Sequence, residues 1–221
     1  MITDIVNEEF LEAAGPNLWA VSTTSVGYEH VYLKQIAKRG LRLGHPLAVL
    51  TDAVADISIM LALMAGRNMN ETMAIVREGQ WPKFTWSPFA MCGPQISTTA
   101  QSPSRTILFL GFGRISQATL SRAVSFGVTD CVYHSNPSSP PKLERDQAIL
   151  KQHQPQLKSL RSVDLDTLAR ESDVVTVLAP GGEKMKHAVL VNAARGTLVD
   201  SGRVGEDVER EMDLGSRVGC V

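Results

Sequence analysis

The sequence has few cysteines, no long hydrophobic segment and almost no net charge. Its 3 cysteines lie far apart and away from any cluster of histidines, which argues against a disulfide framework or a zinc site and favours a reducing, cytoplasmic compartment. No apolar run reaches the length of a membrane span, and the acidic first residues lack the basic and apolar regions of a signal peptide. The net charge of −1 gives no reason to expect nucleic acid or a membrane as a partner.

What is present is the composition of a globular protein, with 43% hydrophobic and 20% charged residues in a chain of 221. Strand, turn and helix patterns alternate, which predicts an α/β fold. The first part contains a helix over 5–14, a strand within 18–27, a helix over 31–40 and a strand over 41–46. A long helix then begins near Thr51 or Asp52 and continues to Gly79. Its methionines are interpreted as core side chains rather than as a flexible binding surface: Met60, Met64, Met69 and Met73.

The most informative local pattern is a strand, a glycine-rich turn and a helix, between Arg105 and Gly127. Residues 111–116 fit the pattern G-x-G-x-x-G except at its third glycine, where Ser116 stands. In that pattern the first glycine makes a tight turn, and the second lets the backbone approach a pyrophosphate at the helix N-terminus. The serine is small enough to replace the third glycine at some cost in packing. The pattern predicts a dinucleotide site, the alternative being a purely structural turn.

The residues after the second strand of this unit distinguish the two nicotinamide cofactors. A carboxylate there would bind the ribose hydroxyls of NAD, but no carboxylate appears before Glu144. The strand ends in Tyr133 and His134, followed by Ser135 and Asn136. A 2′-phosphate would meet no repulsion, and Ser135 and Asn136 can donate hydrogen bonds, so NADP(H) is favoured over NAD(H). Lys142 and Arg145 could assist, although they are interpreted as solvated charges.

The remaining patterns are a helix over 142–153, a strand over 156–160, a helix over 162–173 capped by Ser162 or Asp164, and strands over 174–178 and 188–191. About nine residues join the last two strands, fewer than the dozen that a parallel crossover requires. The two runs are apolar on both faces, which predicts strands of a parallel sheet, and the shortness of the connection leaves an antiparallel or misregistered last strand as the alternative. Asn192 and Arg195 follow it, and an arginine there is suited to clamp a carboxylate or a polarised carbonyl, the alternative being a local ion pair with Asp200.

Several segments, in order, resemble the D-isomer-specific 2-hydroxyacid dehydrogenases over residues 10–201. They are "STTSVGYEH", "KRGLRLGHPLAVLTDAVAD", "WSPFAMCG", "LGFGRI" and "VLVNAARGTLVD". The resemblance implies an incomplete Rossmann-type doubly wound parallel sheet over residues 50–221 and part of a flavodoxin-like substrate domain over residues 1–49. It also implies an oxidoreductase that reduces a 2-oxo acid such as glyoxylate or hydroxypyruvate with NAD(P)H.

The resemblance also assigns roles to individual residues. The backbone of Ser25, Val26 and Gly27 would hold the substrate carboxylate, and Arg195 would bind and polarise the 2-oxo acid as a catalytic residue. Trp86 matches a loop tryptophan that enters the partner subunit's active site, which implies a homodimer. The cofactor would contact Gly111, Phe112, Gly113, Arg114, Ile115, Ser135, Asn136, Ala179, Pro180 and Asn192.

The chain departs from the family pattern in its second half. Only Met185, Lys186 and His187 remain of the helix and Met-Lys-x-Gly turn before the last strand, and no segment matches those of the catalytic Glu and His. The resemblance is expected to end at Asp200. The chain is therefore interpreted as truncated at both ends. The alternative function is that of a catalytically dead remnant, or an incorrectly assembled reading frame, that at most binds nucleotide or dimerises. His30 is the first substitute acid to consider.

Overall fold

The computed structural model describes residues 5–28, 30–46, 48–85, 95–135, 142–164, 167, 172–178 and 189–192, the last range for its backbone alone. The chain divides into two compact units, Met1–Thr51 and Asp52–Val221. The helices are α1 (Glu8–Ala14), α2 (Leu33–Lys38), α3 (Thr51–Gly66), α4 (Met69–Arg77), α5 (Arg114–Ser125) and α6 (Leu143–His153). The strands are β1 (Ala20–Ser22), β2 (Arg42–Gly44), β3 (Thr106–Leu110), β4 (Asp130–His134), β5 (Ser159–Ser162), β6 (Val174–Val177) and β7 (Val189–Asn192). All strands pair in parallel, which confirms the predicted α/β fold.

The first unit pairs β1 with β2 and packs α1 and α2 around a small apolar cluster. Its buried side chains are Val6, Leu11, Val21, Val31 and Ile36. Helix α1 begins later than its pattern predicts, because the Asn7 side chain accepts a hydrogen bond from the Phe10 N–H at 3.0 Å and so caps the helix. Val6, predicted to be helical, instead bridges to Val31 as extended backbone.

The second unit contains a five-stranded sheet in the order β5-β4-β3-β6-β7. This is the order of one complete half of a dinucleotide-binding sheet followed by the first strands of the other half. Both faces of the sheet are buried, with Leu108 of β3 in one apolar cluster and Phe109 in another. The predicted β3–α5–β4 unit is confirmed, with the glycine turn at the N-terminus of α5.

The last strand is parallel and in register, which confirms the prediction of parallel strands, and the antiparallel or misregistered alternative is wrong. Val174 pairs with Val189, and Val177 pairs with Asn192. Strand β6 ends one residue earlier than predicted and β7 begins one residue later, so residues 178–188 form the connection. That length is close to the dozen residues that a parallel crossover requires.

Two further boundaries differ from the sequence-based prediction. Strand β5 begins at Ser159 rather than at residue 156, because its pairing with β4 starts opposite Asp130. Ser162 therefore belongs to a strand and is not a helix cap. Asp164 Oδ1 accepts a hydrogen bond from the Thr167 N–H at 2.7 Å, the contact that an N-cap residue makes, while most of the predicted helix over 162–173 lies outside the described residues.

The predicted long helix is two helices. Helix α3 ends at Gly66, and Asn68 adopts a left-handed conformation with φ 51° before α4, which asparagine tolerates better than most residues. Helix α4 has no buried residue, and Met60 and Met73 are 47% and 46% exposed. The interpretation of these two methionines as core side chains is therefore wrong.

Candidate functional site

The carboxyl ends of four parallel strands meet at one edge of the larger sheet. Leu110 at the end of β3 pairs with His134 of β4 and Val177 of β6, and Val177 pairs with Asn192 of β7. Strands β4 and β5 lie on one side of β3, and the chain then returns to place β6 and β7 on its other side. Such a reversal of strand order, here between β3 and β6, creates the ligand crevice of open α/β sheets. The glycine turn follows β3 and therefore lies at this crevice.

The two glycines of the turn meet different requirements. Gly111 has φ 80°, a left-handed conformation, and its N–H donates to the His134 carbonyl at 2.8 Å. Gly113 caps α5 with φ −87° and ψ −167°, which any residue can adopt. Among the described residues, an added Cβ at Gly113 would meet no heavy atom within 4 Å. The folded chain thus requires a glycine at 111 but leaves open space at 113.

Ser116 stabilises the turn through its hydroxyl. The side chain is fully buried, and its Oγ donates a hydrogen bond of 2.6 Å to the Gly111 carbonyl. A glycine at this position could not make that bond. The hydroxyl therefore offsets the packing cost expected for the departure from the glycine pattern. Its small size and single donor are the features of the sequence that anticipate this role.

A compact cluster packs against the turn and includes its middle residue; it is formed by Phe112, Tyr133, Arg145 and Asp146. The rings of Phe112 and Tyr133 stack with centroids 4.5 Å apart, and the Arg145 guanidinium lies 4.9 Å from the Phe112 centroid. Arg145 donates hydrogen bonds to the Phe112 carbonyl at 3.1 Å, the Tyr133 hydroxyl at 2.9 Å and Asp146 Oδ1. The interpretation of Arg145 as a solvated charge is wrong, and the adjacent Arg–Asp pair is the signal that could have identified it.

The environment of Tyr133 strongly favours its neutral form. The residue is 1% exposed, and its hydroxyl donates to Asp146 Oδ2 at 2.6 Å. Burial, followed by this hydrogen bond, raises the pKa of Tyr133 to about 12. Burial also raises the pKa of the neighbouring Cys131 thiol well above its ordinary value. Neither group ionises near neutral pH.

The alkaline stability of the protein should report the Tyr133 pKa. A tyrosine in the unfolded chain titrates near pH 10, so the raised pKa stabilises the fold below about pH 10 and this contribution disappears as the pH rises to about 12. Between these values the free energy of unfolding should fall by up to about 3 kcal/mol more in the protein than in Tyr133→Phe. Urea unfolding at each pH measures this difference, because the Cys131 thiol is common to both proteins.

Tyr32, which is 51% exposed, provides the control through Tyr32→Phe. That variant should retain the full alkaline loss of stability. Parallel stability curves for the protein and Tyr133→Phe would contradict the assignment.

One described residue, Ser135, follows β4 before the next undescribed range, and its side chain is a hydroxyl. Ser135 is half-buried beside the turn, while His134 lies with its Nδ1 3.0 Å from the Val163 carbonyl. Asn136 lies outside the described residues, as do Trp86, Ala179, Pro180 and Arg195. Asn192 is described by its backbone alone, at the end of β7.

The proposed carboxylate loop of the first unit is held by its own polar groups. The Thr23 hydroxyl donates to the Ser25 carbonyl at 2.9 Å, and the Ser25 hydroxyl donates to the Gly27 carbonyl at 2.7 Å. His45 Nδ1 lies 3.1 Å from the Val26 carbonyl. No backbone carbonyl of the described residues accepts a hydrogen bond from the N–H groups of residues 25–27.

Other kinds of site find no support in the described part of the chain. None of its helices has both the length and the apolar character needed to cross a membrane. Its His, Cys, Asp and Glu side chains form no group of three that could bind a metal ion. The Nε2 of His30 is buried without a hydrogen-bond partner among the described residues, so it does not present a proton donor to open space.

Comparison with known proteins identifies the family. The family model "D-isomer specific 2-hydroxyacid dehydrogenase, NAD binding domain" matches residues 59–211, so the expectation that the resemblance ends at Asp200 is wrong. The chain is 34% identical to the glyoxylate reductase/hydroxypyruvate reductase of Mus musculus over 90% of this chain and 58% of that protein. It is also 34% identical to the glyoxylate reductase of Thermofilum pendens over 91% of this chain and 57% of that protein.

A solved structure agrees with these relatives. A protein of Thermus thermophilus superposes with a TM-score of 0.73 at 30% identity, over 93% of this chain and 62% of that one. The chain thus spans less than two thirds of the length of each of these proteins. The match of the family model and the identity to curated reductases, together with the glycine turn at the crevice, show that this chain belongs to the D-isomer specific 2-hydroxyacid dehydrogenase family.

Proposed function

We propose that this chain supplies the dinucleotide-binding and carboxylate-binding parts of an NADPH-dependent reductase of 2-oxo acids such as glyoxylate or hydroxypyruvate. The observation that carries the proposal is the glycine turn at the N-terminus of α5, where Gly113 leaves open space at the sheet crevice. The first backbone N–H groups of a helix lack intrahelical acceptors, and the helix dipole favours an anion there. A pyrophosphate fits that arrangement.

We assign substrate binding to the first unit and cofactor binding to the second. The first unit is part of a flavodoxin-like substrate domain, in which the N–H groups of Ser25, Val26 and Gly27 bind the substrate carboxylate. The second is an incomplete doubly wound dinucleotide domain in which Asn192, Ala179 and Pro180 line the cofactor site with the glycine turn. Arg195 follows β7 and binds the 2-oxo acid, because a guanidinium can donate paired hydrogen bonds to carboxylate and carbonyl oxygens.

The chemistry requires a hydride at the carbonyl carbon and a proton at the carbonyl oxygen. The reduced cofactor supplies the hydride when bound. The residues of this chain bind and orient: the helix N-terminus holds the pyrophosphate, the loop at 25–27 holds the carboxylate, and Arg195 stabilises the negative charge that develops on the oxygen. The family's proton donor has no matching segment in these 221 residues.

NADPH should bind more tightly than NADH. Ser135 follows β4 as a hydroxyl rather than a carboxylate, so a 2′-phosphate meets a donor there instead of a negative charge. Fluorescence titration of the purified protein with both cofactors measures the preference. Ser135→Asp is the matched variant, and it should reverse the order by repelling the 2′-phosphate.

Two results would count against the proposal. Tighter binding of NADH by the unaltered protein would show that the cofactor preference is wrong. Absence of binding by either cofactor would remove the dinucleotide site altogether.

We include assembly as a homodimer in the proposal. Helix α3 exposes Ile57 and Met60 three residues apart, and α4 exposes Met73 and Val76 at the same spacing, each 46–55% exposed. Apolar side chains three apart lie on one helix face, and exposed apolar surface of this kind favours association. The resemblance of Trp86 to a loop tryptophan that reaches a partner supports the same assembly. The buried free thiol of Cys131 supports a cytoplasmic location.

The second candidate is a chain that binds nucleotide or dimerises without turnover. It is favoured by the absence of segments matching the family's catalytic Glu and His. Sequencing the full-length transcript distinguishes the candidates. A reading frame that continues into an Asp-Val-x-x-x-Glu-Pro segment and a His-x-Gly segment supports the reductase, whereas a transcript that lacks both supports the non-catalytic chain.

A further inference from the structure

The glycine turn accepts a hydrogen bond from a side chain distant in sequence. Arg145 Nη1 on α6 donates a hydrogen bond of 3.1 Å to the carbonyl of Phe112, the residue between the two glycines. The Gln117 side chain approaches the same carbonyl only at 3.5 Å. The Arg145 bond is therefore the stronger restraint on this peptide group, and it carries a formal charge on its donor.

That bond determines the direction of a backbone donor in the turn. The Phe112–Gly113 peptide is trans, and in a trans peptide the C=O and the following N–H point in opposite directions. Because the Phe112 carbonyl is directed at Arg145, the Gly113 N–H is directed away from Arg145. Gly113 is exposed, with open space around its Cα. We take this exposed side of Gly113 as the side from which a ligand approaches the helix N-terminus.

Arg145 is itself held in place by three other groups. Its Nε lies 2.9 Å from Asp146 Oδ1, its Nη2 donates to the Tyr133 hydroxyl, and its guanidinium lies 5.2 Å from the Tyr133 ring centroid. Asp146 is 8% exposed. The carboxylate neutralises the guanidinium at short range, so Arg145 contributes little net charge to attract a phosphate. Its effect on a ligand must come through the geometry of the turn.

We propose that Arg145 is a positioning residue for the pyrophosphate of the dinucleotide: by binding the Phe112 carbonyl, it orients the Gly113 N–H toward the anion. Asp146 and Tyr133 hold Arg145 in the orientation that this requires. The inference rests on the proposed dinucleotide-binding function and adds a residue that acts from beneath the site, without contact with the ligand.

The test compares a ligand that contains a pyrophosphate with one that lacks it. The variant is Arg145→Gln combined with Asp146→Asn, which removes the bond without leaving a buried carboxylate unpaired. Calorimetry with NADPH and with adenosine 2′-monophosphate gives both affinities. We expect NADPH to bind about tenfold more weakly, the size of one misdirected charge-assisted hydrogen bond, while adenosine 2′-monophosphate binds as before. Lys151→Gln removes one exposed charge from the same helix and should change neither affinity.

The outcomes separate the two proposals. Unchanged NADPH affinity, or an equal loss for both ligands, overturns the role of Arg145 while leaving the dinucleotide site intact. Failure of the unaltered protein to bind NADPH or NADH overturns the proposed function and this inference with it. If the double variant does not fold, Arg145→Lys replaces it, since a lysine keeps the ion pair with Asp146 but lacks the planar fork that reaches Phe112. The same selective loss is expected for that variant, and its absence overturns the inference.

Discussion

The purified 221-residue chain should reduce glyoxylate at least about 10²-fold more slowly than a relative that has the family's general acid, which is the lower end of what general acid catalysis contributes. Proton donation to the carbonyl oxygen requires a group within hydrogen-bond reach of it. The chain has 5 histidines, and none lies in a segment that matches the family's acid. Without a donor, the proton must come from water.

Three of the four described histidines have a ring nitrogen that the protein itself encloses or contacts. His30 Nε2 is enclosed, His45 Nδ1 lies against the Val26 carbonyl, and His134 Nδ1 lies against the Val163 carbonyl. Each of these three imidazoles thus has one nitrogen that is buried or directed at the protein's own backbone. Hydride transfer could still occur, but with its transition state less stabilised.

Steady-state oxidation of NADPH with glyoxylate and with hydroxypyruvate measures the rate. The reductase of Mus musculus, assayed in parallel, provides the comparison, and NADPH binding by the same preparation shows that the crevice is formed. A kcat near about 10 s⁻¹, the median for enzymes, would contradict the prediction. It would mean that another residue donates the proton, and His30→Gln would be the first variant to assay.

The variant Gly113→Val should weaken dinucleotide binding by about 10²-fold or more while lowering the free energy of unfolding by only about 1 kcal/mol, the usual cost of an unsuited N-cap residue. The φ of −87° suits valine, and an added Cβ meets no described atom within 4 Å, so the folded chain accommodates it. The side chain would occupy the space where a pyrophosphate approaches the N–H groups. Losing two charge-assisted hydrogen bonds, each worth about 1.5–3 kcal/mol, gives a loss of this size.

Gly111→Ala is the comparison variant, because its direct effect should be a loss of folding stability at the tight turn. At φ 80° an alanine is strained by about 1–2 kcal/mol, so this variant should lower the melting temperature. Thermal unfolding followed by circular dichroism and calorimetric titration with NADPH measure the two effects separately. If Gly113→Val bound NADPH as tightly as the unaltered protein, the turn would be structural, as the alternative interpretation of the glycine pattern holds.

Local sequence was sufficient to predict the alternation of strands and helices and the β3–α5–β4 unit. Apolar runs with no alternation predict strands buried on both faces, because a parallel sheet covered by helices offers no wet face. The glycines at 111 and 113 identify the turn, because few other residues adopt φ 80° and none leaves the same space beside the backbone. These signals depend on residues adjacent in the chain, so they can be interpreted without knowledge of the fold.

Sequence periodicity could not locate the break between α3 and α4. The apolar spacing continues across Gly66 and Asn68, yet the left-handed Asn68 ends the helical path. Exposure of Met60 and Met73 was also hidden, because a methionine is interpreted as a core residue until its neighbours are known. The first residues of β5 and β7 could not be predicted from the sequence either, because each strand begins where it pairs with its neighbour, β4 or β6, and not where its apolar run begins.

The composition and local pattern of the sequence by themselves determined a parallel α/β protein with a glycine turn at a helix N-terminus. Tertiary structure alone decided that Arg145 donates a hydrogen bond to the Phe112 carbonyl of that turn, although it follows Phe112 by 33 positions. It also decided that Ser116 binds the Gly111 carbonyl and that the last strand is parallel. Propensities act between neighbours along the chain, whereas the partner of a donor or a strand depends on which distant segments the folded core brings within about 3 Å.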